Sequence, residues 1–121
     1  MAIQNSLLAS LSPSDLGRLE PHLKSVVLGL HKSLEKANVR VDAVYFPESG
    51  FASVVAGQSQ DDEVEVGLIG REGMTGIPII LGNHRTPNST YMQDARKGQC
   101  IRATDCARQF WASPSLQATP L

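Results

Sequence analysis

Apolar positions recur at helical spacing over the first 25 residues of this chain and at alternate positions over most of the remainder. Leu7, Leu8 and Leu11 make a short apolar turn, and Leu16, Leu19 and Leu23 then continue at steps of three and four. Between the two groups, Ser12-Pro13-Ser14-Asp15 supplies a hydroxyl cap, a proline where no N–H is needed, and an acid in the first turn. Pro21 lacks the N–H that would continue the helix and its ring crowds the turn before it, so the helix is predicted to end near Glu20. This segment reads as a lid packed on something larger.

From about Lys24 the period is two. Ser25 to Leu30 and Val39 to Phe46 are predicted strands, the second rich in β-branched and aromatic residues. Pro47-Glu48-Ser49-Gly50 is a turn signal, Phe51 to Ala56 a return strand, and Gln58 to Asp62 a polar turn. Glu63 to Leu68 alternates cleanly, which places Val64, Val66 and Leu68 on one face and both glutamates on the other. After a turn at Gly70-Arg71-Glu72-Gly73 come two further predicted strands, Ser89 to Gln93 and Gln99 to Ala103, and a helical segment from Thr104 to Trp111. Many short strands broken by turn signals imply a mainly β sandwich or barrel with flanking helices. There is no internal repeat, no GxGxxG or GxxxxGK, and no strand–helix alternation, which argues against a nucleotide-binding α/β fold.

With 121 residues, 41% of them apolar and 19% charged, the chain has one domain's worth of core. No apolar run approaches the roughly 20 residues of a membrane helix, and Met-Ala-Ile-Gln-Asn-Ser is no secretory leader; the expectation is a cytoplasmic protein with no membrane partner. The formal charge is −1, without the basic surplus that holds DNA by its phosphates. Cys100 and Cys106 form no CxxC pair and there is no clustered histidine set, so neither a zinc site nor a disulfide framework is expected, and no cofactor.

The chemistry concentrates between Gly70 and Arg85. Pro78 restricts a helix here to one that starts near Gly76, and Gly82-Asn83 closes it within about a turn. A glycine at such a start leaves amide N–H groups open to an anion, and Arg85 and Thr86 add a guanidinium fork and a hydroxyl. These residues compose a small phosphate cradle; they equally compose a capped surface turn with a solvated arginine.

Val44-Tyr45-Phe46-Pro47-Glu48-Ser49-Gly50, then Glu65 through Met74, then Gly76-Ile77-Pro78 with Leu81-Gly82, together resemble the N-terminal sensor domain of Crp/Fnr-type bacterial transcription regulators. The likeness runs from about residue 5 to 112. It implies a cyclic-nucleotide-binding-like fold, a double-stranded β-helix jelly roll with short helices at both ends, and a non-enzymatic, effector-sensing role. In that family the short helix is a phosphate-binding cassette: Gly76 matches its opening glycine, Arg85 the arginine that pairs with the cyclic phosphate, and Thr86 its hydroxyl neighbour. Ile77 departs from the pattern, since true cyclic-AMP binders carry there a glutamate that grips the ribose 2′-hydroxyl. The ligand-binding set expected from the resemblance is therefore Gly76, Ile77, Arg85 and Thr86, for a small effector that is cyclic-nucleotide-like or another anion.

Family members continue into a dimerisation helix and a DNA-reading module. Residues 1–112 are thus expected to form the sensor domain and 113–121 a tail that starts the dimerisation region, with no DNA-binding domain and no direct DNA contact. A monomer or weak homodimer is expected, with Phe110 and Trp111 exposed. His22, His31 and His84 read as surface or capping residues, and they lack the His-x-His pattern that a cupin-like enzyme would need. The competing reading is an interaction or dimerisation module with a vestigial pocket.

Overall fold

The structure, a computed structural model, describes residues 3–57, 63–94 and 96–118. Two short helices open the chain, α1 (Ser6–Ala9) and α2 (Pro13–Leu19), followed by a single tight turn of helix at Glu20–His22. Seven strands come next: β1 (Lys24–Leu28), β2 (Ser33–Glu35), β3 (Ala43–Pro47), β4 (Ala52–Ala56), β5 (Val64–Ile69), β6 (Ser89–Met92) and β7 (Arg96–Arg102). A one-turn helix α3 (Ile77–Ile80) sits between β5 and β6, and α4 (Ala103–Ala112) and α5 (Pro114–Gln117) close the chain. The strands form two antiparallel sheets, one ordered β1-β7-β3 and the other β2-β6-β4-β5.

The helix starts are explained by their caps. Ser12 Oγ accepts the Asp15 N–H and Pro13 stands at the first position of α2. Asn5, fully buried, caps α1 by accepting the Leu8 N–H at 3.0 Å, while its Nδ2 donates to the carbonyls of Pro47 and Gly73. One side chain thus ties the first helix to the end of β3 and to the loop before α3.

Burial explains the two layers. Leu8, Leu19, Val44, Phe46, Ile80, Ile101 and Cys106 form the larger core, between the helices and the β1-β7-β3 sheet. Leu28, Leu34, Ala52 and Met92 form a smaller core joining the two sheets. Burying such side chains at about 1.5–3 kcal/mol each contributes on the order of tens of kcal/mol, most of it set against chain entropy.

The mainly β expectation holds, with instructive differences. The strand expected over Val39 to Phe46 begins only at Ala43, because residues 36–39 form a turn, closed by Val39 N–H on Lys36 O, in which Asn38 takes a left-handed φ of 61°. Three-residue β2 gave no signal in the sequence. Val64, Val66 and Leu68, expected on one face of a strand, are 62%, 57% and 59% exposed, on the edge strand of their sheet. A register irregularity opposite them, between Val54 and Val55, breaks the regular alternation. The polar turn read at Gln58 to Asp62 lies outside the described residues. From residue 113 to 118 the expected tail is structured: Ser113 caps α5 and Leu116 is buried. Trp111 is exposed as expected, with its Nε1–H donating to Ile80 O, whereas Phe110 is half-buried against the main core.

Candidate functional site

The turn before α3 is built around Thr75 and Gly76. Thr75 is held on both sides by β3: its N–H donates to Tyr45 O and its Oγ1 accepts the Tyr45 N–H, each at 2.9 Å. Gly76 comes next with φ 76°, a left-handed conformation that disfavours side chains. A Cβ there would also stand 2.7 Å from Val44 Cγ2, so both backbone and packing require glycine. Pro78 occupies the first turn of α3, and Gly82, at φ 92°, ends the segment.

Beside this turn lies a cleft of about 170 Å³. Its apolar wall includes Val54, Ile69 and Ile77; its polar wall is Glu35, Thr75, Gly76, Thr86 and Thr90. Of the four residues expected to bind ligand, Gly76, Ile77 and Thr86 line it. Arg85 does not: it is exposed, and its Nη1 donates to Asn38 O at 2.8 Å. The reason is local pairing. Asn38 N–H donates to Thr86 O, Val41 N–H to His84 O, and Arg40 bridges Arg85, which zips residues 84–86 to the loop after β2 and turns the guanidinium to that loop.

Two further donors of the expected cradle, the Thr86 hydroxyl and the Gly76 N–H, are also engaged within the chain. Thr86 Oγ1 donates to Asn88 O at 2.6 Å. The Gly76 N–H donates to Glu35 Oε1 at 2.7 Å. Glu35 was not among the residues expected to matter. It is 8% exposed, and among the described residues no basic side chain forms an ion pair with it. Burial pushes its carboxyl above the ordinary carboxylate range, against the pull of the Gly76 N–H and of the Thr86 and Thr75 hydroxyls. Thr86 has one hydroxyl proton, so it serves Asn88 O or Glu35 at any instant.

The histidines stay apart: His22 Nδ1 lies 3.8 Å from Asp105 Oδ2, His31 faces the Tyr91 ring, and His84 is exposed. Among the described residues there is no group of three or more His, Cys, Asp or Glu that could hold a metal ion, and no helix long and apolar enough to cross a membrane. Cys106 is buried in the main core, which pushes its thiol up to about 11.

No family model matches the sequence, and no curated protein matches it. Solved structures do. The chain is similar to the sensor domain of the transcriptional regulator DNR from Pseudomonas aeruginosa, at 16% identity and a TM-score of 0.75, covering 95% of this chain and 86% of that one. It is similar to the Thermus thermophilus catabolite activator protein at 14% identity and a TM-score of 0.74, covering 93% of this chain and 53% of that one. It is also similar to the regulatory domain of Toxoplasma gondii PKA, solved with cAMP, at 14% identity and a TM-score of 0.75, covering 95% of this chain and 43% of that one. The fold is therefore the jelly roll of Crp/Fnr-type sensor domains and cyclic-nucleotide-binding domains.

Proposed function

We propose that this chain is the effector-sensing domain of a Crp/Fnr-type transcription regulator, non-enzymatic, with the cleft beside α3 as its effector site. The observation that carries this reading is the left-handed Gly76 lining a cleft with one apolar and one polar wall, on a fold shared with regulator sensor domains. Gly76, Ile77 and Thr86 are its contact residues, and Arg85 a rim residue that reaches the ligand only by leaving Asn38 O. The effector is a small molecule with both apolar and polar surface, matching the two walls of the cleft, and DNA is read by a module other than these residues. Among the described residues lining the cleft Glu35 is the one carboxylate, and it is engaged by the Gly76 N–H, which supports a binding role over catalysis.

The test is thermal unfolding of the chain against a panel of neutral, cationic and anionic small molecules. A ligand that binds only the native state raises the midpoint in a saturable way. Expected is such a rise for at least one class, lost in Ile77→Trp, which crowds the rim; a panel without any saturable rise contradicts the proposal.

Exposed Val64, Val66 and Leu68 on an edge strand favour a second reading, an interaction module with an unused pocket. Under that reading Leu68→Glu abolishes association with the partner while every ligand leaves the midpoint unchanged.

A further inference from the structure

Glu35 is the only charged residue lining the cleft among the described residues, and it sits on the amide expected to receive a ligand's anion. Its place there is set by the fold. β2 pairs with β6 through an irregular register between Ser33 and Glu35, and Glu35 stands opposite Thr90 on the cleft wall. An N–H offers one proton. A carboxylate already 2.7 Å from that N–H leaves a phosphate oxygen neither the donor nor freedom from like-charge repulsion. Among the described side chains nothing nearby compensates: Arg85 is on Asn38 O, Thr86 Oγ1 is on Asn88 O, and the Ile77 side chain adds no polar atom.

We propose that Glu35 determines the ligand class of the cleft: its carboxylate is the resident anion on Gly76 N–H, so the cleft rejects phosphate-bearing ligands and admits neutral or cationic ones. This rests on the reading that the cleft is the effector site, and it replaces the anionic effector expected from the residue pattern with a ligand that tolerates a carboxylate beside it. The other outcome, in which a phosphate displaces Glu35 from Gly76, is separated by the test.

The test monitors the Gly76 amide by NMR in the ¹⁵N-labelled full chain while inorganic phosphate, and separately cyclic AMP, is added to the unmodified protein, to Glu35→Ala and to Glu35→Gln. In the unmodified chain neither probe is expected to move the Gly76 resonance in a saturable way. In Glu35→Ala the amide is vacated and phosphate should move it saturably, with affinity raised about tenfold or more. Glu35→Gln keeps an acceptor on the amide but no charge, and a smaller gain is expected; it carries the comparison if the alanine variant does not fold. Saturable phosphate binding at Gly76 in the unmodified chain, with affinity equal to the variants', overturns the proposal, as does a folded variant with no gain. A failed effector panel would remove the function proposed above and leave this phosphate comparison standing.

Discussion

Asp15, in the first turn of α2, accepts a 2.8 Å hydrogen bond from the hydroxyl of Ser113, 98 residues further along the chain. Ser115 donates to the same Oδ1 at 2.9 Å. The pair fastens the start of α5 to the N-terminal helices, so the end of the described chain packs as part of the domain. Hydrogen bonding by Ser113 and Ser115 holds the Asp15 carboxyl below its ordinary range. A depressed native value contributes stability above the ordinary carboxylate range and loses it as the pH falls through the native value. Asp15→Ala is therefore expected to lower the denaturation midpoint at neutral pH, with the difference from the unmodified chain shrinking in acid. A difference that is constant with pH would contradict this.

Glu35 has the opposite sign. Its native carboxyl is raised, by burial first, so between the ordinary range and the native value the folded chain holds a proton that the unfolded chain has released. Stability then rises as the pH is lowered through the native value and falls again as it is raised. Unfolding free energy measured against pH should show this slope in the unmodified chain and not in Glu35→Gln. Parallel profiles would mean that Glu35 does not titrate in the cleft.

Gly76→Ala forces a side chain into a left-handed backbone and against Val44 Cγ2. The backbone alone costs about 1–3 kcal/mol, and overpacking adds a similar amount. Urea denaturation should register a loss in that range; a neutral substitution would show that the turn before α3 relaxes freely.

A thiol reagent distinguishes the two cysteines. Cys106 is buried, with its thiol pushed up to about 11, and should react only as the chain unfolds, while half-buried Cys100 reacts sooner. Rapid native-state labelling of Cys106, read by mass spectrometry, would contradict the packing of α4 on the core.

Local signals made much of this fold legible. The Ser12-Pro13 cap, the helix starting at Gly76 and closing at Gly82, and most strands were readable because each depends on residues within a few positions of one another. The errors are non-local. Asn38 O, which draws Arg85 away from the cleft, is 47 residues distant in sequence, and the amide that receives Glu35 is 41 residues from it. In Ser33-Leu34-Glu35 the acid reads as one more polar position; only the pairing of β2 with β6 places it on the cleft wall. The alternation of Val64, Val66 and Leu68 identified a strand but not its exposure, which depends on the edge position of β5.

Calorimetric titration of cyclic AMP into the unmodified chain tests most directly whether the cleft keeps this fold's geometry while presenting a carboxylate where a phosphate would sit. The resemblance implies a charged acceptor for the ribose hydroxyl at the Ile77 position; its absence is expected to cost about 1.5–3 kcal/mol, a roughly ten- to 150-fold drop in affinity, and Glu35 on the Gly76 amide is expected to lower it further. Expected is no saturable heat from cyclic AMP. Tight binding that disappears with the 2′-deoxy analogue would contradict both the vacancy left by Ile77 and the carboxylate at Gly76.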